Sequence, residues 1–175
     1  MGVVTVKSTT ITNLDASPRV SAQAGTGGGY EVKEIDSIVA AAATDSSTSK
    51  YIFFRVATEI RVKDLWLESA ALGGSCAIDI GVYYADRKED CATGILPGTV
   101  ITAAFFSSAV AVASAVTKTD VTNESGTYTT ALRSQPLWQA LGLASDPGGK
   151  FDIVATSTAN AASGGNIYLK MGFQG

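Results

Sequence analysis

Between Ser75 and Ala85 the chain reads Ser-Cys-Ala-Ile-Asp-Ile-Gly-Val-Tyr-Tyr-Ala, which puts Cys76, Ile78, Ile80, Val82 and Tyr84 on one side of an extended backbone and Asp79, Gly81 and Tyr83 on the other. A period of two is the pleat of a β-strand. One apolar side and one mixed side suit a sheet that covers a core on one face and meets water or a partner on the other. The pattern returns where Ile167, Leu169, Met171 and Phe173 alternate with Asn166, Tyr168, Lys170 and Gly172, and where Phe151, Ile153 and Ala155 alternate with Asp152, Val154 and Thr156. A chain written this way is all-β.

Further strands follow from composition and punctuation. Tyr51 to Val56 and Val100 to Phe106 are dense in β-branched and aromatic residues. In Ile60 to Leu67 the apolar phase shifts from Ile60 and Val62 to Leu65 and Leu67, which predicts a bulge near Lys63-Asp64. Tyr30 to Ala43 reads as a strand that forms a hairpin with Tyr51 to Val56 across the polar turn Thr44 to Ser49. Gly73-Gly74 and Asp146-Pro147-Gly148-Gly149 mark turns, and Asn160 to Gly165 is expected to join the last two strands as a hairpin loop. Periodicity leaves the type of the alanine-rich stretch Ala109 to Ala115 open. Ser134 to Gly142 carries helix punctuation, with Pro136 at the first turn, Leu137 and Leu141 four apart and Gly142 at the end. About eight antiparallel strands of unequal length, one short helix, long loops and no βαβ alternation point to two facing sheets, and among those to a jelly-roll sandwich.

A chain of 175 residues with 46% hydrophobic content is sized for one compact domain, able to bury roughly 70% of its unfolded surface. Residues 1–30 differ from the rest: they are rich in Thr, Ser, Ala and Gly, poor in large apolar residues, and end on Gly25-Thr26-Gly27-Gly28-Gly29. They read as a flexible N-terminal arm preceding a single domain over residues 31–175. Val3, Val4, Val6 and Ile11 give that arm the means to add a short strand to a neighbour's sheet edge. No secretory pattern is present in Met1 to Thr10, and Ala103 to Val116, interrupted by serines, is too short to span a bilayer as a helix. A soluble protein made in the cytoplasm, with no membrane partner, is expected. In that setting Cys76 is a buried small apolar residue and Cys91 a loop thiol rather than a disulfide pair. The net charge of −3 and the scattering of the thirteen Lys and Arg residues argue against a nucleic-acid partner, which calls for a basic patch.

The chemistry-bearing residues form no recognisable catalytic set. The chain has no histidine, which removes His-based triads, bases and metal sites, including those on which cupin enzymes rely. Asp86, Glu89 and Asp90 are the candidates for a hard-cation site, but Arg87 and Lys88 lie among them and the alternating ligands and glycine of a calcium loop are missing. A solvated loop is the expectation. Asp79 and Asp152 sit on strand faces and read as surface or interface hydrogen-bonders. The Gly25 to Gly29 run lacks the Lys-Ser/Thr of a phosphate loop, and Asn123-Glu124-Ser125, although it fits a glycosylation acceptor, lacks a secretory setting. Trp66 and Trp138 with Tyr83 and Tyr84 could form a sugar-binding platform, which an exposed Trp66 beside Asp79 would favour. Trp138, next to Leu137 and near Leu141, is instead expected to be a core anchor, and Tyr84 is in phase with buried Ile80 and Val82. No catalytic, cofactor-binding or metal-binding residue is assigned, and the chain is expected not to be an enzyme.

Taken together, the glycine-rich arm, the Ile60 to Leu67 strand leading to Ile-Asp-Ile-Gly-Val-Tyr-Tyr, and the segment Pro-Leu-Trp-Gln-Ala-Leu-Gly-Leu-Ala-Ser-Asp-Pro-Gly-Gly-Lys-Phe-Asp-Ile from Pro136 to Ile153 resemble jelly-roll capsid cement, or decoration, proteins of tailed bacteriophages. The similarity runs over most of residues 30 to 175. It implies a structural virion protein that sits as a trimer on the outer capsid surface and clamps neighbouring major capsid proteins after the shell expands. It carries over no catalytic residues. A carbohydrate-binding jelly-roll module is the alternative.

The composition of residues 1–30 separates folding from attachment. Deleting residues 1–29 is expected to leave a cooperative thermal melt while weakening trimer formation or binding to the particle. A truncated chain that fails to fold would place the arm inside the domain.

Overall fold

The computed structural model describes residues 31–85 and 87–175. The arm expected over residues 1–30, with Gly25 to Gly29, lies outside them, as does Asp86. The described chain forms eight strands: β1 (Lys33–Ala41), β2 (Lys50–Ala57), β3 (Arg61–Ser69), β4 (Ala77–Tyr84), β5 (Val100–Ala111), β6 (Val116–Asp120), β7 (Lys150–Ser157) and β8 (Gly165–Gln174). They make two four-stranded sheets, β1-β8-β3-β6 and β2-β7-β4-β5, with antiparallel pairing throughout. Every strand lies in the opposite sheet from its predecessor except β5, which pairs with β4. That order is a jelly roll, as the strand count and loop lengths predict.

The alternating residues locate the core. Val62, Leu65 and Leu67 of β3 and Ile167, Leu169 and Met171 of β8 face Ile78, Ile80 and Val82 of β4, Phe151, Ile153 and Ala155 of β7, and Tyr51, Phe54 and Val56 of β2, and all are buried. The phase shift in β3 is a bulge between Val62 and Asp64 that leaves Lys63 as the extra residue. Both expected hairpins are absent: β1 and β2 lie in different sheets, and so do β7 and β8. Alternation says which side chains are buried but not which strand is the neighbour, and residues 42–49 and 158–164 are long enough to cross the roughly 10 Å between facing sheets. Of the alanine-rich stretch, Ala109 to Ala111 end β5 and the rest turns into β6.

The second sheet closes around a single glycine. In the β4–β5 ladder Ile80 opposes Ser107 and Val82 opposes Thr102, so Gly81 alone faces Ala103, Ala104, Phe105 and Phe106. The surplus of β5 folds so tightly over β4 that a Cβ at Gly81 would overlap the carbonyl oxygens of Thr102 and Ala103. The bulge also breaks alternation, and Phe105 and Phe106 are both buried. Their rings meet edge to face at 5.0 Å, and each packs on Tyr128, at 5.2 and 5.0 Å. Tyr128 is fully buried, and its hydroxyl donates to Val62 O at 2.6 Å. Val121 N donates to Leu65 O at 2.9 Å and Leu65 N donates to Thr122 Oγ1 at 2.8 Å. The segment after β6 thereby completes the edge of β3.

One helical turn, α1 (Leu137–Ala140), follows Pro136. It is fastened to the β2–β3 turn where Leu137 N donates to Ile60 O at 2.7 Å and Trp138 N to Thr58 O at 3.1 Å. The expected anchor is displaced by one residue: Leu137 is 1% exposed, while Trp138 is half-buried and packs on the margin of the core. Successive helical positions are about 100° apart, so only one of the two can point straight into the sandwich. Lys33 pairs with Phe173, so the chain enters and leaves the described domain side by side.

Two stability outcomes follow. Gly81→Ala is expected to cost about 1–3 kcal/mol or more, because backbone atoms must move to admit the methyl group, and urea unfolding measures it. Leu137→Ala is expected to cost about 2–5 kcal/mol, with a smaller loss for Trp138→Ala. The reverse order in thermal melts would restore Trp138 as the anchor.

Candidate interaction surfaces

The outer face of the second sheet is not the open polar face that alternation suggests. Register brings Arg55, Asp152 and Tyr83 into one row and Ile52, Val154 and Gly81 into the next. Arg55 grips Asp152 with both arms of its guanidinium, Nε to Oδ1 at 2.7 Å and Nη2 to Oδ2 at 2.8 Å, and Asp152 is 1% exposed. A carboxylate this deep needs such a partner to offset its desolvation. Asp90 joins the pair, 2.9 Å from Lys150 Nζ and 3.4 Å from Arg55 Nη1. Its approach requires Gly149, held at φ +75°, where a Cβ would overlap Asp90 O. The Tyr83 hydroxyl shares a hydrogen bond with Thr156 Oγ1 at 2.8 Å, and Lys50 Nζ lies 4.6 Å from the ring centroid. Tyr83 is 4% exposed on the outer side of its strand.

Two expectations are corrected here. The Asp86 to Asp90 run is not simply a solvated loop: residues Lys88–Asp90 form a 3-10 turn that delivers Asp90 to the two cations, while Arg87 and Glu89 pair with each other in solvent at 3.1 Å. Asp152 is no surface hydrogen-bonder but the buried half of an ion pair. Asp79 fits its expected role better, for its Oδ1 accepts from Ala109 N at 2.7 Å, where β5 takes the left-handed φ of 51°. Glu124 Oε2 accepts from the neighbouring Ser108 N at 2.6 Å, so two carboxylates hold the irregular stretch of β5. No group of three or more His, Cys, Asp or Glu residues able to hold a metal occurs among the described residues.

The other singled-out residues have structural duties. Cys76 and Cys91 are free thiols. Cys76 is buried 3.7 Å from Ser157 Oγ, and Cys91 Sγ donates to Ala85 O at 2.7 Å. In the glycosylation-like triplet, Asn123 donates to Tyr128 O and accepts from Arg133, while Ser125 Oγ donates to Phe105 O at 2.7 Å. Tyr84 packs edge-on against Phe151 at 5.7 Å.

The outer face of the first sheet is more open. Trp66, out of phase with buried Leu65 and Leu67, stands in register with Lys170 and Asp120, and Lys118 Nζ lies 5.3 Å from its ring centroid. In the next row Ile38 pairs with Tyr168 and is 60% exposed. Glu34 pairs with Lys170 Nζ at 2.8 Å; Glu34, Asp36 and Glu68 are exposed. Trp66 and Asp79 belong to different sheets, on outward faces that point away from each other, so the pairing that would favour a sugar platform does not form. Sequence reasoning also passed over a group of three cations, Arg61, Lys63 and Arg133, at the turn Leu132–Ser134. Burial, and then the neighbouring charges of Arg61 and Arg133, hold the Lys63 ammonium below its ordinary range.

No protein-family model matches the chain, and no curated protein matches it. Among solved structures, its fold is similar to that of a chain in the cyanophage Pam1 capsid asymmetric unit, with a TM-score of 0.55 and 19% identity over 91% of this chain and 96% of that one. At that identity the likeness establishes a common fold.

The ionic group on the second sheet sets a pH dependence. The hydrogen bond from Lys150 outweighs the opposing effect of burial and, with the charges of Lys150, Arg55 and Arg87 added, holds the Asp90 carboxyl below its ordinary value of 3.8. A carboxyl depressed in the folded state adds stability above its unfolded value and loses it as pH falls through the folded one. Melting temperature is therefore expected to fall on acidification below about pH 4, and the Asp90→Asn protein to show a shallower fall. Parallel profiles would dismiss the contribution of Asp90.

Proposed function

We propose that this chain is a structural virion protein that binds the outer surface of a phage capsid and cements neighbouring major capsid proteins, acting as a trimer and without catalysis. The observation that carries the reading is the likeness in fold, across nearly the whole of both chains, to a chain from a phage capsid asymmetric unit. It agrees with the resemblance of the sequence to decoration proteins. A chain with 17% charged residues, below the usual figure of about 25%, has few charges to desolvate when its surface is covered over wide areas. Attachment at several points then multiplies weak contacts through effective concentration, which suits a lattice binder. On this reading the chain is made in the host cytoplasm and ends on the capsid exterior, with residues 1–30 as an arm that reaches a neighbour.

Sedimentation of the full chain is expected to give three times the monomer mass, and the protein is expected to pellet with expanded capsids but not with unexpanded ones. A chain that stays monomeric at micromolar concentration and ignores both particles would end this proposal.

A further inference from the structure

Four strands end a sheet, β1 and β6 in the first and β2 and β5 in the second, and three of them are poor templates for a further strand. β6 has only five residues, and β2 is interrupted by a bulge at Phe53. β5 breaks register three times, and its carbonyls at Phe105 and Phe106 already accept from Tyr128 N and Ser125 N, at 3.2 and 3.0 Å. β1 has none of these defences. Its nine residues contain no Gly or Pro and run in unbroken register with β8, from Lys33 opposite Phe173 to Ala41 opposite Gly165. Glu34 and Asp36 are exposed on its outward side, and no charge lies among the inward-facing Ile35, Ser37, Val39 and Ala41. In an antiparallel ladder every second residue of an edge strand turns its N–H and C=O away from the partner. Among the described residues no hydrogen bond reaches that side of β1. A long, regular, uncovered edge is a place for strand addition.

We propose that residues 3–12 of a neighbouring copy add to the free edge of β1 as an antiparallel strand. They read Val-Val-Thr-Val-Lys-Ser-Thr-Thr-Ile-Thr, eight β-branched residues in ten, a composition that suits a pleated surface. One register satisfies both faces. With Lys7 opposite Asp36, Val4 and Val6 fall beside Val39 and Ser37 on the core side, where Ile35 and Val39 are only half-buried. On the outward side Thr5 then faces Ile38, which is 60% exposed, and Lys7 also has Glu34 as a diagonal neighbour. A slip of one residue would turn Lys7 toward the core and both valines toward solvent. Asp36 is open to this pairing: it makes no ion pair among the described residues, since Lys170 opposite it turns to Glu34 at 2.8 Å. Residues 13–32, twenty in number, reach up to about 65 Å when extended, enough to cross to an adjacent copy. Arms passed head to tail close into a ring. The inference rests on the trimer with a reaching arm proposed above, and it names the strand that receives the arm.

The test places a disulfide across that register in the full chain, Thr5→Cys with Ile38→Cys, in a Cys91→Ser background that leaves buried Cys76 as the other thiol. After oxidation at micromolar concentration, non-reducing gels are expected to show species of two and three times the monomer mass. Thr5→Cys with Leu96→Cys, whose second thiol is exposed ahead of β5, is expected not to link. Thr5→Pro with Val6→Pro must remove one N–H aimed at β1, because consecutive N–H groups point to opposite edges. That variant is expected to keep a cooperative melt and to lose self-association at least about tenfold in sedimentation. A link formed within one chain, equal linking at Leu96, or unchanged self-association in the proline variant would each overturn the assignment. Pelleting with capsids keeps the two readings apart. Cross-linked protein that ignores capsids supports the strand addition and ends the virion reading, whereas unlinked protein that pellets with capsids ends the strand addition alone.

Discussion

The bare Cα of Gly81 is the point on which much of this sandwich hangs. Because nothing projects from it, β5 can lay four residues opposite one and send Phe105 and Phe106 together into the core. Two adjacent rings on the same side make a socket, and Tyr128 fills it. Once there, its hydroxyl reaches Val62 O and draws the segment after β6 along the edge of β3. That segment carries Asn123 and Arg133, and beyond them α1 closes on the turn between β2 and β3. A local absence of side chain is thus propagated into the placement of α1, the only α-helix among the described residues, and of the three cations at the start of β3.

The sequence disclosed the parts of this fold that depend on phase. Alternation in Cys76 to Tyr84 and in Ile167 to Phe173 marks the core side of β4 and β8, and the slip at Lys63-Asp64 announces the β3 bulge because an extra residue must reverse which side chains point inward. Pro136 and Gly142 bracket α1 for similarly local reasons. Partnership was hidden: the pattern of β1 is the same whether it pairs with β2 or, as it does, with β8. Strand β6 has no buried residue, so it lacks the one signal that alternation offers. Asp90 was misread because charge next to charge in sequence suggests solvent, while its partners Arg55 and Lys150 are distant in sequence; Asp152 was misread because alternation puts it on the outer side of its strand, while Arg55, which buries it there, is brought in by register. The basic cluster escaped for the same reason, since seventy positions separate Lys63 from Arg133.

Charge is sparse in this chain but not idle. On the second sheet it is used in closed form, with Arg55, Asp152, Asp90 and Lys150 neutralising one another under Lys88–Asp90. A buried network of that kind fixes a loop against a sheet by geometry more than by raw strength. On the first sheet the carboxylates stay at the surface and the cations of β3 remain uncompensated. The two outer faces consequently differ in kind: one ties its central charges to one another, the other keeps both signs of charge at its surface.

The pairing of Lys33 with Phe173 has a topological consequence. The last residues of β8 lie where β1 starts, so a short linker between these ends would turn the eight strands into a closed ring without disturbing any ladder. Opening the backbone elsewhere, for instance between β6 and β7, would then keep the register of the sandwich while presenting new ends at another place. Passengers fused directly ahead of β1 or behind β8 would therefore emerge from one spot, whichever end carried them.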